Sequence, residues 1–206
     1  MNDMMFITKI GVPQMNKPLF LFIGRSASGK TTIANILSEK HGYKQVESYT
    51  TRKPRFDGES GHIFVSNEEF NNLGELAAYT LYNGNQYGTT FEQINECDIY
   101  VIDVPGLESL LQKFKDDDRP ICIFYFDVSV YNRILRMVDR NDSDMMIISR
   151  LLEDEKNDWF KEISSLVWRY NNIIGKDVSL YNINANSDTK CVTELVLFYL
   201  NKYMEA

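Results

Sequence analysis

The sequence predicts a three-layer α/β fold around a central parallel sheet. Three observations carry this. The runs LFLFI (19–23), DIYVIDV (98–104) and ICIFYFDV (121–128) are apolar on both faces, as in buried parallel strands. Helical patterns of amphipathic spacing separate them. Alternating strands and helices with right-handed crossovers place helices on both faces of one sheet.

The elements follow in order. Residues 1–17 read as a loosely held leader ending at Pro18. LFLFI is the first strand. TTIANILSEKHG follows as a helix with Ile33, Ile36 and Leu37 on one face and Gly42 as its stop. Residues 48–90, rich in Gly, Tyr, Thr and Asn with short alternating runs, break the rhythm and read as a lobe inserted over the sheet's C-terminal edge. Helical patterns at 106–115, 129–139, 145–170 and 188–203 complete the alternation, with VSLYNIN (178–184) as a weaker fourth strand. KDDDR (115–119) reads as a solvated turn.

Composition narrows the function. The 206 residues suit one medium domain, and 44% hydrophobic with 25% charged residues is ordinary for a globular protein. A net charge of −7 argues against a nucleic-acid coat or a polybasic membrane binder, which need excess cations. Cys97, Cys122 and Cys191 lie far apart and read as buried thiols of a reducing compartment. Two histidines, His41 and His62, make a zinc site a poor expectation. No long apolar run suggests a signal peptide or a spanning helix, so a cytoplasmic protein is expected.

The chemistry begins with GRSASGKTT (24–32), set between the first strand and its helix. Gly24-x4-Gly29-Lys30-Thr31 is a complete phosphate-loop signature. The glycines let successive N–H groups curl around one phosphate chain. Gly24, Ser26, Ala27, Ser28, Gly29, Lys30, Thr31 and Thr32 are therefore the expected binders of an ATP polyphosphate. Lys30 supplies a point charge between β- and γ-phosphates, and the Thr31 hydroxyl can ligate Mg²⁺. Such a site also wants a strand-end carboxylate near the Mg²⁺; Asp103 and Asp127 both end apolar runs and compete for the role, and the resemblance given next favours Asp103. In the middle of this acidic chain, Arg52, Lys53 and Arg55 gather around Pro54, and arginine forks suit phosphate oxygens.

Beyond the loop, ESYTTRKPRFDGESGHIFVSNEEF (47–70), YNGNQYGTT (82–90) and VIDVPGLESL closely resemble the guanylate kinases. The resemblance runs through most of residues 18–200. It implies a P-loop NTPase fold with an inserted acceptor-binding lobe at about 48–90 and a short lid at about 139–150. It implies transfer of the γ-phosphate of ATP to GMP or dGMP, assisted by Mg²⁺. Arg52, Arg55 and Tyr87 would hold the acceptor 5′-phosphate, with Ser48 and Thr89 near the base. Arg140 and Arg150, in RILRMVDRNDSDMMIISRL, match the family's lid arginines and would neutralise the transferring group. Arg136 shares a helix face with Arg140. The expected partners are small nucleotides, with neither nucleic acid nor membrane, and the expected state is a monomer or homodimer.

Three departures touch the acceptor. The family's guanine-reading glutamate falls on Ala78 and its second strand-end aspartate on Pro105. A phosphate-holding tyrosine becomes His62, which can still donate to phosphate. Glu75, three residues from Ala78, is the expected substitute acid. Two alternatives follow: a kinase of another phosphomonoester such as a ribose bisphosphate, or a non-catalytic binding module. The complete phosphate loop argues against the module.

Overall fold

The computed structural model describes residues 17–54, 57–82 and 84–204. The main sheet has four parallel strands in the order β6 (Ile99–Val101), β1 (Leu19–Ile23), β7 (Ile121–Asp127) and β8 (Val178–Asn184). Every residue of β1 is fully buried. Its side chains alternate, as a two-sided strand requires. Leu19, Leu21 and Ile23 pack with α4 (Val104–Lys113) and α7 (Trp159–Arg169) through Leu107, Leu110 and Ile163. Phe20 and Phe22 face α1 (Lys30–His41) and α8 (Thr189–Met204) through Ile33, Leu37 and Val196. The three layers are thus as predicted, and the sheet's carboxyl edge gathers the ends of all four strands.

A second sheet lies within 48–90, in the order β3 (His62–Phe64), β2 (Ser48–Thr50), β5 (Asn85–Thr90) and β4 (Leu76–Tyr82). A five-residue helix, α2 (Asn67–Asn71), opens with a capping box between Ser66 and Glu69. The short helix α3 (Phe91–Glu96) leads back to the main sheet and opens with a second capping box, Thr90 with Gln93.

Four expectations are corrected. The helix expected at 145–170 is two helices, α6 (Asp144–Asp154) and α7, because Asp158 caps a new start and the chain turns at 155–158. The expected helix at 106–115 starts earlier, at Val104, because Asp103 caps it and Pro105 fits its first turn. Arg119 is no solvated turn residue: its guanidinium donates to the Ile94 and Cys97 carbonyls at 2.5 and 2.6 Å. Cys97 is half-buried and Cys191 exposed, so only Cys122 is a buried thiol. The leader at 1–16 lies outside the described residues. The helix at 129–139 is α5 (Val130–Asp139), which faces α6 across a short turn. In α7, Trp159 packs against the core at one end while Trp168 is exposed at the other.

Candidate active site

The phosphate loop leaves the carboxyl end of β1 and closes into α1. A Cβ at Gly24 would meet the Phe126 carbonyl oxygen at 2.7 Å, so only glycine lets the loop approach β7. Gly29 caps α1 with φ 94°, a left-handed conformation that favours glycine. Together they aim the first turn of α1 into a cavity of about 380 Å³. Residues 27–33 line it together with Arg136, Arg140, Ala185 and Ser187, and Arg136 donates to the Ala185 carbonyl at 2.7 Å. The structure therefore brings Ala27, Ser28, Gly29, Lys30, Thr31, Thr32 and Arg140 around one concavity.

Lys30 folds back into its own loop, donating to the Gly24 carbonyl, to the Arg25 carbonyl at 3.0 Å and to Ser28 Oγ at 3.2 Å. Its pKa is pushed down to about 8, first by burial; Asp154 and Asp103 oppose the shift, while Arg133 and Arg140 add to it. Ser26 is a correction. Its N–H is turned away to the Asp154 carboxylate at 2.9 Å and is no donor for a phosphate in this conformation.

Asp103 caps α4 by accepting the Gly106 N–H at 2.8 Å. Burial pushes its pKa up, opposed by Gly106, the Thr80 hydroxyl and Lys30. Asp103 thus stands between Lys30 and the second sheet, which it touches through Thr80. Thr31 is exposed in the first turn of α1, facing the cavity. Among the described residues no cluster of three His, Cys, Asp or Glu could hold a metal ion. A hydroxyl beside a polyphosphate pocket fits Mg²⁺, which keeps most of its shell as water and phosphate oxygens.

The acceptor candidates share one face of the second sheet. Pairing sets Ser48 beside His62, Thr80 beside Tyr87 and Ala78 beside Thr89. Period-two alternation then puts all six on the same side. Ser48 Oγ lies 2.9 Å from His62 Nδ1, and the His62 and Tyr87 rings are 5.7 Å apart. Arg52 forms a two-pronged pair with Glu59 at 2.9 and 3.1 Å and lies over the Phe64 ring. Burial works against the Arg52 charge; Glu59 and the Tyr87 phenol outweigh it and raise its pKa. Arg52, His62, Ser48 and Tyr87 are therefore brought together.

Two acceptor expectations fail. Glu75 pairs with Lys113 at 2.8 Å and is well exposed, so it does not stand in for the acid missing at Ala78. Thr89 is fully buried and donates to the Tyr100 hydroxyl at 2.8 Å, beyond reach of a ligand. Arg55 lies outside the described residues. Both lid candidates converge on one carboxylate: Arg140 Nε and Arg150 donate to Asp142, each at 2.8 Å.

The sequence reading missed Glu59, Asp142, Arg133 and Asp154. Glu59 had a faint signal, as an acid in the same turn as three cations. Asp154 had none, because a carboxylate in a long helical pattern reads as solvated.

Comparison with known proteins agrees with this geometry. A family model described as guanylate kinase matches residues 15–159. The guanylate kinase of Geobacter metallireducens is 29% identical over 148 residues, covering 66% of this chain and 71% of that one. That of Streptococcus pneumoniae is 29% identical over 198 residues, covering 89% of each. The crystal structure of guanylate kinase from Anaplasma phagocytophilum superposes with a TM-score of 0.56 at 19% identity, over 91% of this chain and 86% of that one, and supports the fold. With the model spanning more than half its residues, the chain belongs to the guanylate kinase family.

Proposed function

We propose that the protein is a nucleoside monophosphate kinase that transfers the γ-phosphate of ATP to GMP or dGMP. The observation that carries this is the complete phosphate loop, with Lys30 and Arg140 on one cavity, in a chain of this family. Residues 18–47 and 91–206 act as the core, 48–90 as the acceptor lobe and 139–150 as the lid. The cavity takes the donor, with Lys30 and the loop amides on its phosphates. Arg52, Tyr87 and His62 grip the acceptor phosphate, with Arg55 as a further cation of the same segment. Ser48, Thr80 and Asp103 are the polar groups nearest the acceptor base.

Chemistry then needs little beyond position and charge. The acceptor phosphate oxygen attacks in line as the lobe and lid approach each other and exclude water. Arg140 and Arg150 leave Asp142 for the transferring phosphoryl group, whose oxygens present the same fork geometry. The Thr31 hydroxyl, with Asp103 nearby, would hold Mg²⁺ beside the donor phosphates, where it would supply charge neutralisation. Unpaired cysteines suit a reducing cytoplasm, and among the described residues no helix is long and apolar enough to cross a membrane.

The test is ADP formation from Mg·ATP with a panel of GMP, dGMP, IMP, AMP, CMP, UMP, dTMP and ribose 1,5-bisphosphate. Preference for the guanine nucleotides is expected. Turnover of the sugar bisphosphate alone would overturn the reading. Ala78 and Pro105 offer no side-chain acceptor for the guanine 2-amino group. One such pair is worth about 1–3 kcal/mol. IMP, which lacks that group, should therefore be used within about tenfold of GMP in kcat/KM.

A further inference from the structure

Behind the phosphate loop lies an ionic network that the transfer reaction does not use directly. Arg133, on α5, is fully buried. Its Nε donates to the Ser26 carbonyl at 3.1 Å, and its two terminal nitrogens reach Asp154 at 2.9 Å and Glu155 at 3.1 Å. Asp154, at the C-terminal end of α6, is 2% exposed. The same Oδ2 that meets Arg133 also accepts the Ser26 N–H at 2.9 Å. Both backbone polar groups of Ser26 are thus held from outside the loop, one by each member of a buried ion pair. Arg25 extends the network, donating to Glu155 at 3.1 Å and to the Asn157 carbonyl at 3.2 Å.

Buried ion pairs are poor stabilisers compared with apolar packing, so their presence calls for a use. The placement supplies one. Arg150 stands one turn before Asp154 on α6, and Arg140 caps the C-terminal end of α5, two turns after Arg133. The helices that present the lid arginines therefore also grasp the loop.

We propose that Asp154, oriented by Arg133, is a positioning residue of the phosphate loop. It fixes the Ser26 peptide, and with it the curl of the donor-phosphate cradle, to the end of the lid helix. The inference rests on the donor half of the function proposed above.

The test is titration of Mg·ATP by calorimetry, with melting temperatures and the KM values for ATP and acceptor, for the wild type, Asp154→Asn, and the double variant Arg133→Leu with Asp154→Ala. Asp154→Asn keeps an acceptor for Ser26 but removes the charge. Keeping the Ser26 anchor, it should bind ATP within about threefold of the wild type. The double variant removes the buried charge pair together, so it should keep its melting temperature. Having lost the Ser26 anchor, it should bind ATP about tenfold more weakly, with the acceptor KM unchanged. Wild-type ATP affinity in the double variant would overturn the proposal and leave the pair a packing feature. ATP binding without phosphoryl transfer to any nucleotide would overturn the proposed function and leave this inference standing.

Discussion

At the scale of single residues, the molecule concentrates charge where it is costly to hold. Lys30 is the clearest case. Below pH about 8 its ammonium is present, and above it the charge is lost. Donor capture should follow: kcat/KM for ATP falls above pH about 8, approaching tenfold per unit, where an ordinary lysine would hold to about pH 10.4. A flat profile to pH 10 would contradict this. The sign for stability is opposite. The folded pKa is lowered, so charged Lys30 works against folding below pH about 8, and that penalty fades as the pH rises toward the unfolded value. Lys30→Ala should reduce turnover at least about a hundredfold. Arg52→Ala should raise the acceptor KM by about ten- to a hundredfold and leave that for ATP nearly unchanged; equal effects on both would mean Arg52 serves another group. Much of this was legible, because glycines, a lysine and clustered arginines carry chemistry that few other roles need. Glu75 was not. Its three-residue offset from Ala78 suggested a substitute, but the strand pairing leaves it at the edge of β4, where Lys113 takes it.

At the scale of elements, short devices set the geometry. Asp103 is both a helix cap and the acid facing Lys30. The two roles separate by substitution. Asp103→Asn keeps an acceptor for the Gly106 N–H and removes a carboxylate whose ionisation burial disfavours. Its stability should stay within about 1 kcal/mol of wild type while kcat falls; Asp103→Ala should lose about 0.5–2 kcal/mol besides. Urea unfolding and steady-state kinetics on both variants decide it, and full activity in Asp103→Asn would remove Asp103 from the site. The buried strands of the main sheet could be read from the sequence because their apolar runs allow little else. The break between α6 and α7 could not. Leu151, Leu152, Trp159 and Phe160 continue an apolar pattern that masks the Asp158 cap, and the tertiary partners of Glu155 and Asn157 hold the turn in place.

At the scale of the whole molecule, two sheets divide the labour. The main sheet carries the phosphate loop at its carboxyl edge, and the second sheet carries the face of Ser48, His62 and Tyr87 that we propose for the acceptor; the two are joined through Asp103 to Thr80 and Tyr100 to Thr89. Ligands that engage the folded state alone should stabilise it by mass action. Mg·ATP at a hundred times its Kd should add about 2.7 kcal/mol. That corresponds to about 5–11 °C in Tm for a chain of this size. No shift under those conditions would mean the loop does not bind nucleotide. Sequence reading expected an insert over an α/β core but not its seams, since Ala77 and Ala78 of β4 join the main core and Thr89 meets Tyr100 through contacts that no local pattern announces.

The two tryptophans on α7 have an optical consequence. Trp159 follows the turn whose Asn157 carbonyl is held by Arg25 of the phosphate loop, and it packs against the core. Trp168, mostly exposed at the far end of the same helix, has a solvent-like environment. Any rearrangement of the loop should therefore alter the emission of the first and spare the second. Its unlabelled fluorescence then serves as a built-in gauge of loop occupancy, with its own internal reference.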